Sequence, residues 1–418
     1  MPWPQQLPLG RRAFLAGSGL ILGCSRSATT SEPRPIASAA PAAPASPPEV
    51  VADAAVERAS VHALFDAYPT LARSLPRVEL GRFPSTIERA TSLLGEGALW
   101  IKRDDDFTRS PSLPSSPSSP DVARLFGGGK VRKLELYFGE ARAQGKRRII
   151  TSGGVGSNQA LAVALLGKAL GFSVRLHLTP QPASSLTSKN LAADAASEAE
   201  MRLFDTVADG HAQAKREAQQ SGDTYVIPPG GTTPLGTLGF VNAGLELAED
   251  VRAGRMPVPR RVYVALGLGG SAAGLGIGCA LGGLHTEIVA VRTSNPGTIS
   301  PATLRAIHDE TIAFARARDA SFPAVTVEAA NVRIDGRFVG AGYGAPSAAG
   351  TDAITRAHEH EGWDLDPVYT GKALAAVLDD ARSDARARGS EPLLFWNTMS
   401  SRPVAVAAVP AAFQRFAR

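Results

Sequence analysis

The stretch SGGVGSNQ, residues 152–159, decides the fold of this chain. It follows a short β-branched run at 148–151 and opens a stretch, 159–170, in which apolar residues recur three and four positions apart. These patterns predict a strand and a helix. A glycine-rich turn between them lets the backbone approach a ligand closely, and the free N–H groups of the helix start point at that ligand. A tight turn that needs positive φ explains a single loop of this kind equally well.

The same order of strand, turn and helix recurs along most of the chain. We predict strands at residues 99–103, 148–151, 173–178, 261–266, 287–292 and 393–396, and helices at 131–144, 159–170, 240–252 and 371–388. Strands that alternate with amphipathic helices favour parallel sheets covered by helices, so the predicted class is α/β. In such sheets, ligands bind at the carboxyl ends of the strands.

Two further glycine clusters lie at informative positions. Residues 267–274, GLGGSAAG, also follow a predicted strand and open a helix, and residues 127–129 run directly into Lys130. A lysine at a helix start lies near positive partial charge, which lowers its pKa toward the neutral, nucleophilic amine. A lysine together with a phosphate-binding loop indicates pyridoxal phosphate. For the Lys130 stretch alone, an exposed lysine that caps a helix is an equally good interpretation.

The composition of the chain excludes several classes of function. The 418 residues, 44% hydrophobic and 20% charged, are typical of a globular chain with about two domains. The net charge is +5, but the basic residues are scattered among acidic ones, so we predict no nucleic-acid partner. His358 and His360 face different directions on a predicted helix, which argues against a metal site there. Cys279, in an apolar helical stretch, is predicted to be a core residue.

Residues 1–24 have the pattern of an export signal. Arg11 and Arg12 precede an uncharged apolar run that is too short to span a bilayer, as in the bacterial twin-arginine signal. Residues 21–24, ILGC, resemble a lipoprotein box in which Cys24 is acylated. We therefore predict an exported protein, periplasmic or anchored to the membrane only by a lipid on Cys24. The alternative is a disordered apolar tail.

Two segments rich in Ser and Pro interrupt the patterned sequence. Residues 25–55 consist mostly of Ala, Pro and Ser with few charges, which predicts a disordered tether. Residues 110–120 have patterned sequence on both sides, so we predict that they form a surface loop.

Six short motifs occur in a fixed order: IKRDD at 101–105, GGGKVRKLE at 127–135, GVGSNQ at 154–159, PLGTLG at 234–239, GYGAP at 342–346 and DPVYTGK at 366–372. In this order they resemble the family of 1-aminocyclopropane-1-carboxylate deaminase and D-cysteine desulfhydrase. The resemblance implies the tryptophan-synthase-β fold (pyridoxal-phosphate fold type II), with two open, twisted, mostly parallel sheets covered by helices. It also implies pyridoxal 5'-phosphate as the cofactor.

The resemblance further implies a domain organisation. A larger cofactor domain would consist of residues 56–132 and 235–418, and a smaller α/β domain of residues 133–234 would be inserted into it. The oligomeric state is left open, with a homodimer as one candidate.

Individual residues acquire roles through the same resemblance. Lys130 matches the lysine that binds the cofactor covalently and moves the Cα proton, and Lys133 matches a lysine near the phosphate. Ser157, Asn158 and Gln159 match the group that holds the substrate carboxylate. Asn158 also matches the asparagine beside the ring hydroxyl of the cofactor.

The other implied site residues lie further along the chain. The loop that matches the phosphate cradle contains Gly267, Gly269, Gly270, Ser271 and Ala272. Three hydroxyl groups complete the site, two facing the substrate and one against the pyridine nitrogen: Tyr343, Tyr369 and Thr398. The implied catalytic residues are Lys130, Ser157, Tyr343 and Tyr369.

The predicted reaction is β-elimination from a small amino acid, as in D-cysteine desulfhydrase, giving an α-keto acid and ammonia. Thr370 supports this choice, because related desulfhydrases read Asp-Pro-Val-Tyr-Thr and cyclopropane-opening deaminases Asp-Pro-Val-Tyr-Glu. A hydroxyl group at the pyridine nitrogen does not favour protonation of that nitrogen, which favours loss of a β-leaving group over racemisation. Gly129, Met399 and Ser400 depart from the family pattern, which has asparagine before the lysine and two glycines after the threonine.

Parts of the sequence are also compatible with three other functions. The first is deamination of 1-aminocyclopropane-1-carboxylate, and the second is non-catalytic binding of an amino acid or the cofactor by an exported lipoprotein. The third is a dinucleotide-dependent oxidoreductase, suggested by the spacing of Gly267, Gly269 and Gly274 and by Arg292. This third interpretation leaves Lys130 and the motif at 366–372 unexplained.

Overall fold

The computed structural model describes residues 62–94, 98–107, 126–383 and 391–417. The predicted export signal with Cys24, the tether and the Ser/Pro loop lie outside these residues. Within them, no helix is long and apolar enough to cross a membrane.

Ten strands build two sheets in the described part of the chain. They are β1 (Ile87–Arg89), β2 (Leu99–Arg103), β3 (Arg148–Gly154), β4 (Ser173–Thr179), β5 (Glu200–Leu203), β6 (Thr224–Ile227), β7 (Arg261–Leu266), β8 (Glu287–Arg292), β9 (Val332–Asp335) and β10 (Leu393–Asn397). The larger sheet has the order β1-β2-β10-β7-β8-β9, and the smaller has the order β5-β4-β3-β6. Only β1 pairs in the antiparallel sense, with β2.

Helices connect the strands and cover the sheets. They are α1 (Ala63–Ala67), α2 (Pro69–Ser74), α3 (Val131–Ala143), α4 (Asn158–Ala169), α5 (Ser185–Ala196), α6 (Val207–Gln220), α7 (Pro234–Arg252), α8 (Gly270–Leu281), α9 (Pro301–Arg316), α10 (Val327–Ala330), α11 (Ala348–Glu361) and α12 (Thr370–Ser383). The predicted class, α/β with two mostly parallel sheets covered by helices, is confirmed.

The larger sheet is buried on both faces. Successive side chains of a strand point to opposite faces, and in β10 Leu393 and Phe395 pack with α12 whereas Leu394 and Trp396 pack with α7 and α8. Cys279 is buried in the second of these clusters, as predicted. Burial on both faces explains why the strands read as continuous apolar runs.

Every predicted strand is present, but four strands were not predicted. β1, β5, β6 and β9 have three or four residues each and include partly or fully exposed positions. Such short segments carry too little apolar pattern to identify.

The helix predicted at 240–252 begins earlier, at Pro234. Its first turns contain glycines because they pack closely against other backbone segments. A Cβ atom at Gly239 would lie 2.1 Å from the Arg132 carbonyl oxygen, and one at Gly236 would lie 2.3 Å from the Gly231 carbonyl oxygen. The glycines that weaken the helical pattern therefore let α7 approach its neighbours.

A buried network of charges joins β2, α3 and α7. The Arg132 guanidinium donates to both carboxylate oxygens of Asp104, at 2.7 Å each, and to Glu246 at 2.9 Å. Lys102 Nζ lies 2.7 Å from the same Glu246 and 2.6 Å from Asp250. Arg132 and Lys102 hold the pKa of Glu246 down, at about 2, against the opposing effect of burial. Arg255, a partly exposed third cation, pairs with Asp250 at 2.6 Å, so three cations and three carboxylates balance one another.

Replacing Arg132 with Met should therefore destabilise the protein severely. The substitution leaves the Asp104 carboxylate buried without its cation, which costs about 3–5 kcal/mol in comparable cases. Equilibrium urea unfolding measures this loss.

Arg202→Met is the matched control, because Arg202 is 42% exposed and pairs with the half-exposed Glu200 and with Glu217, which keeps Arg175 as a second cation. It should cost no more than about 1 kcal/mol. Equal unfolding midpoints for the two variants would contradict a structural role for the network.

Candidate functional site

A cavity of about 370 Å³ lies at the carboxyl ends of strands from both sheets. Segments that follow β3, β7, β8 and β10 line it, which is where ligands bind in open α/β sheets. All the residues predicted for the site line this one cavity: Lys130, Lys133, Ser157, Asn158, Gln159, Gly267, Gly269, Gly270, Ser271, Ala272, Tyr343, Tyr369 and Thr398.

Lys130 presents an amine of lowered basicity to the cavity. It ends the short 3-10 turn Gly128–Lys130 and immediately precedes α3. Burial lowers its pKa from 10.5 to about 8, and its Nζ makes no hydrogen bond within the described residues. The direction agrees with the prediction, and desolvation by burial lowers the pKa.

The glycine turn before Lys130 is docked on the segment that follows β10. Gly128 has φ +54°, and a Cβ atom there would lie 2.4 Å from the Thr398 carbonyl oxygen. The Gly129 N–H donates to the same oxygen at 3.0 Å, and the Gly127 N–H donates to Ser400 Oγ at 3.3 Å. Gly129 and Ser400, which both depart from the family pattern, therefore belong to two segments that contact each other, the turn before Lys130 and the segment after β10.

The start of α8 forms an anion cradle. Gly269 has φ +96° and precedes the helix, whose first internal hydrogen bond is donated by Ala273, so the N–H groups of Gly270, Ser271 and Ala272 remain free. A Cβ atom at Gly270 would lie 3.1 Å from both Lys133 Nζ and the unpartnered Thr237 hydroxyl. Glycine thus leaves space for an anion between these groups.

The start of α4 supplies further polar groups. Ser157 caps the helix, since its Oγ accepts from the Ala160 N–H at 3.2 Å. The Gln159 side chain is buried, and neither its amide nitrogen nor its amide oxygen has a partner. Asn158 Oδ1 accepts from Asn190 Nδ2 at 2.9 Å. An unpartnered buried amide beside a cavity is suited to a polar ligand.

Two tyrosines also line the cavity. The hydroxyl groups of Tyr343 and Tyr369 are 2.8 Å apart. Burial raises the pKa of both, so both stay protonated at neutral pH. Tyr369 is held by a turn in which Asp366 accepts from its N–H at 2.7 Å. Thr370 does not line the cavity; its hydroxyl donates to Asp366 and accepts from the Asp366 N–H, each at 2.9 Å.

Sequence reasoning missed several residues that line the cavity. Ser294 and Asn295 follow β8, and the Ser294 hydroxyl is buried without a partner. The rule that ligands bind at the carboxyl ends of strands could have identified both. Ser152, inside β3 near its carboxyl end, also lines the cavity, and its buried hydroxyl has no hydrogen-bond partner among the described residues.

The competing sites find no support in the geometry. Arg292, considered for a nucleotide phosphate, donates to the Pro296 carbonyl oxygen at 3.0 Å. His358 and His360 lie exposed on α11. Among the described residues, no group of three or more His, Cys, Asp or Glu side chains could hold a metal ion.

The cavity residues fit pyridoxal phosphate chemically. An amine of lowered pKa suits covalent attachment of an aldehyde, and the free N–H groups of α8 with Lys133 suit a phosphate. The Thr398 hydroxyl makes no hydrogen bond to another described residue and is available to a ring nitrogen.

Comparisons with known proteins agree with this fit. A family profile described as "Pyridoxal-phosphate dependent enzyme" matches residues 121–398. Nocardicin C-9' epimerase of Nocardia uniformis subsp. tsuyamanensis is 33% identical over 344 residues, covering 79% of this chain and 94% of that protein. D-cysteine desulfhydrase of Salmonella newport (strain SL254) is 30% identical over 334 residues, covering 77% of this chain and 93% of that protein.

One solved structure extends the similarity to the backbone. The crystal structure of an ACC deaminase homologue is similar with a TM-score of 0.61 and 28% sequence identity. The similar region covers 79% of this chain and 94% of that chain.

The lowered pKa of Lys130 predicts how cofactor capture depends on pH. Only the neutral amine attacks an aldehyde, so the capture rate should rise about tenfold per pH unit below the pKa and level off above pH 8. Stopped-flow absorbance of the apo-protein mixed with pyridoxal phosphate from pH 6.5 to 9.5 measures this rate. A rate that still rises tenfold per unit up to pH 9.5, as the ordinary lysine value of 10.5 requires, would contradict desolvation of the amine. Lys130→Arg should show no covalent capture at any pH.

Proposed function

Because the chain belongs to the 1-aminocyclopropane-1-carboxylate deaminase and D-cysteine desulfhydrase family of pyridoxal-phosphate-dependent enzymes, we propose that it catalyses β-elimination from a small amino acid. The products would be an α-keto acid and ammonia, with sulfide when the leaving group is a thiol. One observation carries the proposal: the Lys130 amine, the free start of α8 and the polar start of α4 meet in a single cavity. The family, the enzyme class and the cofactor predicted from the sequence are confirmed.

The proposed binding mode assigns each part of the cofactor to a different element. The N–H groups of Gly270, Ser271 and Ala272, with Lys133 beside them, would hold the phosphate. Thr398 would meet the ring nitrogen from the segment after β10. When bound, the cofactor supplies an electron sink for charge that leaves the substrate Cα.

The chain's own groups would perform the proton transfers. Lys130, with a pKa near 8, is neutral often enough at physiological pH to accept the Cα proton. The N–H groups and side chains at the start of α4 would bind the substrate carboxylate and orient the Cα–H bond. Tyr343 and Tyr369 both stay protonated, so one hydroxyl can donate its proton to the departing group while it accepts a hydrogen bond from the other hydroxyl.

Two other reactions are compatible with this family. Thr370 favours elimination over opening of 1-aminocyclopropane-1-carboxylate, because desulfhydrases resemble this chain at that position. Inversion at Cα is the second candidate, and the observation in its favour is the similarity to an epimerase at 33% identity. Epimerisation yields no α-keto acid, so product analysis separates it from both other reactions.

We expect the purified holoenzyme to release α-keto acid from an amino acid with a β-leaving group, D-cysteine being the first to test. The panel should contain D- and L-amino acids with β-leaving groups and 1-aminocyclopropane-1-carboxylate. Keto acid and ammonia are quantified, and chiral chromatography of the remaining amino acid detects inversion. Lys130→Ala should lose the visible absorbance of the bound cofactor and at least about 10³-fold in rate, because it removes both the attachment and the base.

The matched control is Lys168→Ala, because Lys168 is half exposed and its one ion pair within the described part of the chain is with the exposed Glu198. Its activity should equal that of the unmodified enzyme. The elimination proposal would be overturned if the cofactor-loaded protein released no α-keto acid from any amino acid of the panel. Inversion without keto acid would replace it with epimerisation.

We also propose that the protein is exported and carries a lipid on Cys24. This proposal rests on the sequence pattern of residues 1–24, which lie outside the described residues. Replacing Arg11 and Arg12 with Lys should leave the precursor in the cytosol, because twin-arginine export depends on the paired arginines. Cell fractionation and mass spectrometry of the mature N-terminus measure location and acylation. An unmodified Cys24 on a cytosolic protein would refute both parts of the proposal.

A further inference from the structure

A second asparagine lies behind the cavity-lining Asn158. Asn190 belongs to α5, and its side chain is fully buried. Its Nδ2 donates to the Gly156 carbonyl oxygen at 2.9 Å and to Asn158 Oδ1 at 2.9 Å. Both acceptors belong to the loop and helix start at residues 154–159, so one NH₂ group joins α5 to the residues nearest the ligand.

These two bonds determine which way the Asn158 amide faces. A backbone carbonyl can only accept, so the Asn190 group beside Gly156 must be the NH₂. The Asn158 atom that shares this NH₂ must then be its oxygen. Asn158 Nδ2 has no partner among the described residues, and Asn158 lines the cavity. Asn158 therefore offers a hydrogen-bond donor, and not an acceptor, to a bound ligand.

The loop is also held from its other side. The Gly156 N–H donates to Gln181 Oε1 at 3.3 Å, and a Cβ atom at Gly154 or Gly156 would collide with the Gln181 amide. The Gly156 N–H and C=O are both engaged, so each of the two peptide groups that flank Gly156 has little freedom to rotate. Asn158 is thus oriented by a fixed backbone as well as by its own hydrogen bond.

We propose that Asn190 is a positioning residue that orients Asn158 as a donor toward the ring oxygen of the cofactor and keeps that oxygen ionised. The inference rests on the proposed cofactor site. A donor favours the charged form of its acceptor, and hydrogen bonds to ionised groups are about twice as strong as neutral ones. Without Asn190, the Asn158 amide is free to turn its oxygen toward the cavity, where it would repel an anionic oxygen.

The test is a double-mutant cycle on cofactor affinity in the full chain. The equilibrium dissociation constant of pyridoxal phosphate is measured for the unmodified protein, Asn190→Leu, Asn158→Ala and the double variant, with the absorbance of the bound cofactor followed against pH. Asn190→Leu should weaken binding about tenfold and shift the absorbance transition to higher pH. In the Asn158→Ala background the same substitution should change affinity by less than about twofold, because it acts through Asn158.

Asp194→Asn is the matched control. Asp194 lies on α5, and its buried carboxyl group has no hydrogen-bond partner among the described residues, so its replacement disturbs the same helix without touching Asn158. Its cofactor affinity and absorbance should match those of the unmodified protein, and thermal unfolding of each apo-variant reports general damage.

If Asn190→Leu does not fold, Asn158→Asp decides the question. A carboxylate can still accept from Asn190 but presents no donor to the cavity, so it should bind the cofactor more weakly than Asn158→Ala does. The inference would be overturned, with the proposed function left intact, if Asn190→Leu changed cofactor affinity equally in the unmodified protein and in Asn158→Ala. Cofactor affinity of Asn158→Asp equal to that of the unmodified protein would overturn it in the same way. Absence of cofactor binding by the unmodified chain would overturn the proposed function together with it.

Discussion

The buried guanidinium of Arg132 determines how the cavity is assembled. It satisfies Asp104 at the end of β2 and Glu246 on α7 at once, and a cation with no access to water cannot lose either partner without a large cost. Arg132 therefore fixes the rotation of α3 about its axis. Lys130 and Lys133 are three positions apart and share a face of the chain, whereas Arg132 points elsewhere. With Arg132 anchored in the network, both lysines must face the cavity.

Close contact of backbones then determines the distance between the groups that would bind phosphate. A Cβ atom at Gly278 would lie 2.1 Å from the Val241 carbonyl oxygen, and one at Gly274 would lie 2.5 Å from the Thr237 oxygen. Side chains at these positions would push α8 away from α7. The glycines thus bring the start of α8 to the Thr237 hydroxyl and to Lys133. The same glycines that weaken the helical pattern of the sequence are required for the site.

The sequence predicts features that depend on neighbouring residues, and misses those that join distant ones. The loops at 152–159 and 267–274 and the lysine at 130 are recognisable because a strand, a glycine turn and a helix start are adjacent in the chain. Asn190 and Gln181 act on the first loop from another helix and another turn, so no local pattern identifies them. The cause of the Lys130 pKa shift is equally non-local, because desolvation depends on everything packed around the amine.

Thr370 lies outside the cavity but holds the turn that places Tyr369 in the cavity wall. Its hydroxyl both accepts from the Asp366 N–H and donates to the Asp366 carboxylate, and that carboxylate also accepts from the N–H groups of Val368 and Tyr369. An ionised glutamate at 370 can accept but cannot donate, and it would add a second carboxylate beside Asp366, whose pKa burial already raises. The turn would have to rearrange, and Tyr369 would move with it relative to Tyr343. In this chain Thr370 therefore acts on the cavity through the turn that places the Tyr369 hydroxyl, and not by lining the cavity itself.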